Sequence, residues 1–256
     1  MTQLPAAGYE GRIGRYGSEL ATAFLAAAEV RTGQRALDVG CGGGALTEPL
    51  AELVGPDNVV GVDPDEAAVA ACRRRLPQVD LRVASAEELP FADGEFDVVL
   101  AQLVVSLLSD ADAGVSEMRR VARAGAVVAT CVWDFGAGMT LLRTFWDAAA
   151  ALDAGAARYD QARTRPFANQ AELRALWWRA GLRQIATGEL HASAAYSGFE
   201  DLWEPLVAPD GSPGVYHGTL EATHREELRQ ETWRRVGSPT GPFRLTARAW
   251  YVRGRA

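Results

Sequence analysis

Between Arg35 and Val132 the chain alternates short continuous apolar runs with segments of helical spacing, and this alternation leaves few folds open. The runs are Arg35–Val39, Val59–Val62, Val79–Val83, Phe96–Leu100 and Ala126–Val132. They read as strands buried on both faces rather than strands with one wet face. Helical spacing fills the gaps at Ala45–Val54, Asp65–Arg75 and Asp112–Ala122, where Val115, Met118 and Val121 fall on one face. Gly55-Pro56 and Ala92-Asp93-Gly94 punctuate the pattern. Doubly buried strands joined by helices predict a parallel sheet over residues 33–133. A helix over Tyr16–Val30 precedes it.

After Trp133 the pattern loosens. A helix is expected at Met139–Leu152, polar loop at Asp153–Ala168, a helix at Gln170–Ala180 and a strand at Arg183–His191. An irregular insert follows from about Tyr196 to Pro242. It holds a turn-rich centre at Pro209–Gly214 and one long helix from about Gly218 to Val236. Leu220, His224, Leu228 and Val236 form that helix's apolar stripe. The last strand is Phe243–Val252. A strand, an insert and a final strand imply an antiparallel hairpin on the sheet edge.

The chemistry concentrates in Leu37-Asp38-Val39-Gly40-Cys41-Gly42-Gly43-Gly44-Ala45, between the first strand and its helix. Glycines there let backbone approach a ligand and adopt positive φ. The helix start offers free N–H groups. Asp63 ends the second strand in Val62-Asp63-Pro64, where a carboxylate accepts hydrogen bonds from both hydroxyls of a ribose. Together these imply an adenosine-containing cofactor. The glycine spacing departs from the G-x-G-x-x-G dinucleotide fingerprint. Asp38 would crowd a pyrophosphate but suits an ammonium, which favours S-adenosylmethionine over NAD.

The block Leu37–Ala45 resembles motif I of the class I S-adenosylmethionine-dependent methyltransferases. Ala84-Ser85-Ala86-Glu87-Glu88-Leu89-Pro90-Phe91-Ala92-Asp93-Gly94-Glu95-Phe96-Asp97 resembles a stretch of the type 11 branch related to ubiquinone and menaquinone biosynthesis. The resemblance is strong over residues 33–133, weak in the final strand and absent from the inserts. It implies a Rossmann-like, doubly wound α/β fold with a mostly parallel seven-stranded sheet, an antiparallel last strand and a helical cap built from inserts. It implies one domain over 1–256, with an N-terminal helical segment (1–32), a cofactor core (33–133) and substrate inserts (134–168 and 196–242). Cofactor contacts carry over to Asp38, Gly40, Cys41, Gly42, Asp63, Pro64, Ser85, Ala86, Glu87, Gln102 and Leu103. The family often has Asp where this chain has Ser85. Tyr9, Arg12 and Tyr16 are candidates for an N-terminal segment that closes over the cofactor.

The implied reaction is in-line transfer of a methyl group to a small molecule, leaving S-adenosylhomocysteine. A general base is needed only for a protonated nucleophile. Of the three histidines His191, His217 and His224, His217 is the candidate base, and His224 reads as packing. Trp133, Asp134, Phe145 and Trp203 are candidate substrate contacts near the carboxyl edge of the sheet. Arg143, Arg158, Arg163 and Arg165 are candidates to recognise a carboxylate, with a solvated face as the main reading. No His/Glu cluster has metal spacing, so no metal is expected. The net charge of −7 disfavours nucleic acid and anionic membranes. Three cysteines without CxxC spacing fit a reducing cytoplasm. No apolar run is long enough to span a bilayer, and the expected assembly is a monomer or homodimer. The alternatives are a methyltransferase-like protein that binds the cofactor without methylating, or an NAD(P)-dependent oxidoreductase. The chain has no lysine, hence no Tyr-x-x-x-Lys pair.

Overall fold

The computed structural model describes residues 12–256; Tyr9 lies outside them. In chain order the elements are α1 (Gly17–Ala27), β1 (Ala36–Val39), α2 (Thr47–Val54), β2 (Val59–Asp63), α3 (Glu66–Arg75), β3 (Asp80–Val83), β4 (Phe96–Gln102), α4 (Ala111–Val121) and β5 (Ala122–Trp133). There follow α5 (Thr140–Leu152), α6 (Gln161–Thr164), α7 (Gln170–Arg179), β6 (Arg183–Tyr196), α8 (Phe199–Leu206), α9 (Ser212–Gly218), α10 (Ala222–Arg235) and β7 (Phe243–Arg255).

The seven strands form one sheet in the order β3-β2-β1-β4-β5-β7-β6. The first five pair in parallel, and β7 runs antiparallel to β5. The doubly wound, mostly parallel sheet expected from the apolar runs is borne out. Its strand order reverses at β1 and β4, the switch point where open α/β sheets bind ligands.

Contacts divide the chain into two compact units. The sheet unit comprises Gly17–Trp133, Phe167–Leu190 and Ala249–Ala256. The second unit takes the chain up to Tyr16, Asp134–Pro166 and His191–Arg248. Strands β6 and β7 contribute residues to both.

In the sheet unit every residue of β1 is buried, as the continuous apolar run requires. Leu37, Val39, Val60, Val62, Val99 and Val128 form one core with Met118 of α4 and Trp177 of α7. Trp177 is fully buried and its indole N–H donates to the Val128 carbonyl at 3.0 Å. That bond seats α7 on the sheet without leaving the indole dipole unpaired. Asp65 and Asp110 cap α3 and α4 through their side chains, which fixes both helix starts.

β5 begins at Ala122 rather than Ala126. Its register against β4 slips between Phe96 and Val98, and Arg123, Ala124 and Gly125 are exposed there. A bulged, solvated strand start carries no apolar signal.

The second unit departs further from expectation. The segment taken as loop contains a 3₁₀ turn, Ala154–Arg158, and α6. The helix expected at about Gly218–Val236 is present as α10, starting at Ala222, while α8 and α9 lie in the part of the insert expected to be irregular and turn-rich. His224 is exposed, so the expected apolar stripe is incorrect. Leu228 and Thr232 are the buried positions of α10, with the Thr232 hydroxyl donating to the Leu228 carbonyl at 2.7 Å. An aromatic cluster binds this unit. Phe145 meets Trp146 edge-on at 4.9 Å and Tyr216 at 6.3 Å, within the range of favourable ring pairs.

Asp134 fastens the start of the second unit. Its carboxylate accepts from Arg248 at 2.6 Å and from the Gly136 and Ala137 N–H groups at 3.1 Å each. Met139 and Ala247 form a bridge beside it. Replacing Asp134 with Ala strands three donors. Because the Arg248 side chain keeps about a third of its exposure, the expected loss is at the low end for broken buried pairs, about 2 kcal/mol. Urea unfolding of Asp134→Ala against the parent chain checks this.

Candidate cofactor site

The site grows from the turn after β1. Both Gly40 N–H and Cys41 N–H donate to the Val62 carbonyl, at 2.7 and 2.9 Å. The chain is thereby folded over the end of β2. Gly40 has φ +75°, and a Cβ there would lie 2.3 Å from Val104 Cγ2, so only glycine fits. Gly42, at φ +49°, faces open space.

Asp63 closes the turn from below. One of its oxygens accepts from Gly42 N–H at 2.9 Å and the other from Asp65 N–H at 2.9 Å. Burial raises its pKa above the usual carboxylate range, and these two N–H groups oppose the rise. Pro64, just beyond, is exposed.

Asp38 is buried at 1% exposure in the strand interior. Its Oδ2 accepts from the Thr47 hydroxyl at 2.7 Å, and its Oδ1 has no hydrogen-bond partner. Burial pushes its pKa up to about 7; the Thr47 bond works against that and the Asp63 charge adds to it. On the neighbouring strand Gln102 repeats the pattern. Its side-chain N–H donates to the Gly17 carbonyl at 3.4 Å, while its buried Oε1 has no partner. Leu103 follows with φ +65°, its N–H held by the Cys131 carbonyl at 2.9 Å. Thus two unpartnered acceptors stand at the carboxyl ends of β1 and β4, the adjacent strands of the switch point.

Ser85, Ala86 and Glu87 follow β3. The Ser85 hydroxyl donates to Glu87, whose other oxygen accepts from Ser109 N–H at 3.1 Å. Against burial, these bonds hold Glu87 below the usual carboxylate range. Arg120 braces the chain beyond, donating to the Leu89 and Phe91 carbonyls at 3.0 and 2.8 Å while pairing with Glu117 and Asp93.

All the cofactor residues read from the sequence lie in the sheet unit except Tyr16. Tyr16 belongs to the second unit, fully buried with its hydroxyl 3.1 Å from that of Tyr196. Arg12, in the same unit, pairs with Asp210. Of the substrate candidates, Trp133 ends β5 in the sheet unit and is buried. Asp134, Phe145 and Trp203 lie in the second unit, where Asp134 is engaged by Arg248. Phe145 lies 6.2 Å from Trp203, and Trp203 meets the His217 ring edge-on at 5.8 Å. Burial, then the charge of Arg225, lowers the His217 pKa. Thr47 escaped sequence reading; its one signal is a hydroxyl nine residues after Asp38, at the start of the helix.

Residues 37–130 match the family model described as a methyltransferase domain. A protein named as a probable S-adenosylmethionine-dependent methyltransferase of Mycolicibacterium smegmatis is 41% identical over 95 residues, 37% of this chain and 36% of its own length. A ubiquinone biosynthesis O-methyltransferase of Rhizobium etli is 36% identical over 100 residues, 38% of this chain and 40% of its own. The chain therefore spans well under half the length of these relatives. Over 98% of the chain the fold superimposes, at TM-score 0.61 and 17% identity, on 57% of phosphoethanolamine N-methyltransferase 2 of Haemonchus contortus. Over residues 37–130 the resemblance to S-adenosylmethionine-dependent methyltransferases is borne out, and the fold is a Rossmann-like sheet. No group of three or more His, Cys, Asp or Glu among the described residues has metal-site geometry.

The raised Asp38 pKa has a signed consequence. A carboxyl that binds its proton more tightly folded than unfolded favours the folded state at low pH and loses that contribution as pH rises through about 7. Asp38→Asn mimics the protonated form. Without cofactor, Asp38→Asn should melt above the parent chain at about pH 8, and the gap should narrow as pH falls below about 7 and close only near the unfolded carboxylate value, at about pH 4. Paired thermal melts across that range test it; a gap independent of pH refutes the assignment.

Proposed function

We propose that this protein transfers the methyl group of S-adenosylmethionine to a small molecule. The observation that carries the reading is the pair of buried, unpartnered acceptors, Asp38 Oδ1 and Gln102 Oε1, beside a glycine turn with open space at Gly42. Buried acceptors without donors are costly unless a ligand brings the donors. An ammonium group brings three and a positive charge besides. A pyrophosphate brings neither, and the Asp38 carboxylate would repel it.

In this reading Asp38 and Gln102 hold the amino-acid end of the cofactor. The backbone of Gly40, Cys41 and Gly42 lies along it. Asp63 keeps lone pairs for the ribose hydroxyls after accepting one backbone N–H on each oxygen. Ser85, Ala86 and Glu87 meet the adenine, with Pro64 and Leu103 flanking. Because the Ser85 hydroxyl donates to Glu87, adenine recognition falls mainly to the Ala86 N–H and the Glu87 carboxylate. When bound, S-adenosylmethionine supplies a methyl group on a sulfonium that leaves without acid assistance.

The residues of this chain position the acceptor and exclude water. Trp133, Phe145 and Trp203 supply apolar surface, Asp134 supports the loop after β5, and His217, with its lowered pKa, takes a proton where the nucleophile carries one. The named functions of the quinone-biosynthesis relatives favour a small acceptor, as does the acidic charge balance. Three buried free cysteines favour the reducing cytoplasm. Among the described residues no helix is long and apolar enough to cross a membrane.

Calorimetric titration should give micromolar binding of S-adenosylhomocysteine and none of NAD. Asp63→Ala should weaken that binding by about 1–3 kcal/mol. Affinity should fall as pH drops below about 7, where Asp38 protonates, by up to about tenfold per pH unit, and Asp38→Asn should abolish this dependence. Incubation with methyl-labelled cofactor and small-molecule fractions of a cell extract should label a product. Binding of NAD in place of S-adenosylhomocysteine would overturn the reading.

A further inference from the structure

One arginine in the second unit combines partial burial with the lack of a polar partner among the described residues. Helix α6 is pinned to α5 by two polar contacts. Asp160, its N-cap, accepts from Arg143 at 2.9 Å, and the Gln161 side-chain oxygen accepts from the Trp146 indole N–H at 2.5 Å. Both Trp146 and Gln161 are buried, and Trp146 belongs to the aromatic cluster with Phe145 and Tyr216. Arg165 stands four residues after Gln161, its N–H bonded to the Gln161 carbonyl at 3.0 Å, so it follows one turn later on the same side.

The Arg165 guanidinium has no carboxylate, carbonyl or hydroxyl partner among the described residues. Six other arginines share that condition: Arg31, Arg74, Arg119, Arg158, Arg163 and Arg183. All six are exposed, where water compensates them. Arg165 alone is half-buried. Burial by itself lowers its pKa, with no neighbouring charge to raise it. A guanidinium presents five donors in a planar fork suited to a carboxylate. Holding one half-buried without an anion is costly, and a group of this kind in a folded protein calls for an explanation. Asp160 and Asp147 both pair with Arg143.

We infer that Arg165 is a substrate-recognition residue that receives the carboxylate of an acceptor. The inference rests on the methyltransferase reading for the word acceptor, but the binding site it describes stands on the second unit alone. The contact is a charge-assisted fork from the guanidinium to both carboxylate oxygens, with no covalent step. Arg165 orients the substrate and takes no part in the bond change.

The test uses the whole chain and two probes of one shape, benzoate and its neutral counterpart benzamide. Binding is followed by tryptophan fluorescence and by ligand-observed NMR. Benzoate should bind saturably and at least about tenfold more tightly than benzamide. Arg165→Gln should remove that preference, while Arg165→Lys, which keeps the charge but not the fork, should retain part of it. Thermal melts establish that each variant is folded; should Arg165→Gln unfold, Arg165→Lys and the benzoate-to-benzamide ratio of the parent chain still decide. Equal binding of the two probes, no binding of benzoate, or a folded Arg165→Gln that keeps the preference overturns the inference. A parallel titration with S-adenosylhomocysteine separates the two readings. Arg165→Gln should bind it as the parent does, and a parent chain that ignores it refutes the methyltransferase reading while leaving the benzoate result to decide Arg165.

Discussion

The site depends on how the end of β2 receives the turn after β1. The Val62 carbonyl accepts two successive N–H groups, from Gly40 and Cys41, and the Asp63 carboxylate accepts a third from Gly42. With those donors satisfied by a neighbouring strand, the glycine turn needs no ligand to hold its shape. The same arrangement keeps Asp38 within β1, where every residue is buried, with Thr47 as its one polar partner. A preformed turn and a carboxyl group poised near neutrality are two results of one set of backbone bonds. A carboxylate buried with one oxygen unpartnered is an environment that favours a cation over an anion.

The two units divide the chemistry. In the sheet unit, pairing of parallel strands fixes residues at the carboxyl ends of β1, β2 and β4 with little help from side chains. In the second unit, side chains do most of the fixing. Asp134 with Arg248 joins segments 114 residues apart, and Arg143 with Asp160 and Trp146 with Gln161 tie α6 to α5 over 17 and 15 residues. Its core is aromatic, with Phe145, Trp146, Trp203 and Tyr216 all buried. Function on this fold resides in such inserted segments rather than in the sheet that carries them.

The stretch Ala84–Asp97 shows that a recognisable motif need not be wholly a binding motif. Ser85, Ala86 and Glu87 belong to the candidate site, but Leu89, Phe91, Asp93 and Asp97 serve the structure. Arg120 gathers the first three, Phe91 stacks edge-on against Phe96 at 5.0 Å, and Asp97 accepts from Arg35 N–H at 2.8 Å. Letters alone do not separate the two roles. A hydroxyl at position 85 reads as an available acceptor until its bond to Glu87 is seen.

The amino-acid order alone determined the parallel sheet, its helices and the glycine turn. These follow from local causes: doubly buried apolar runs, helical spacing, capping aspartates and positions where only glycine tolerates positive φ. It also carried Asp38 and Asp63, because strand ends place them. Tertiary structure alone decided what has a partner. It left Asp38 Oδ1 and Gln102 Oε1 bare, gave Asp134 to Arg248, exposed His224 on α10 and left Arg165 half-buried without an anion among the described residues. Burial and pairing depend on groups that meet across tens to hundreds of residues, and no short-range pattern encodes which of them arrives.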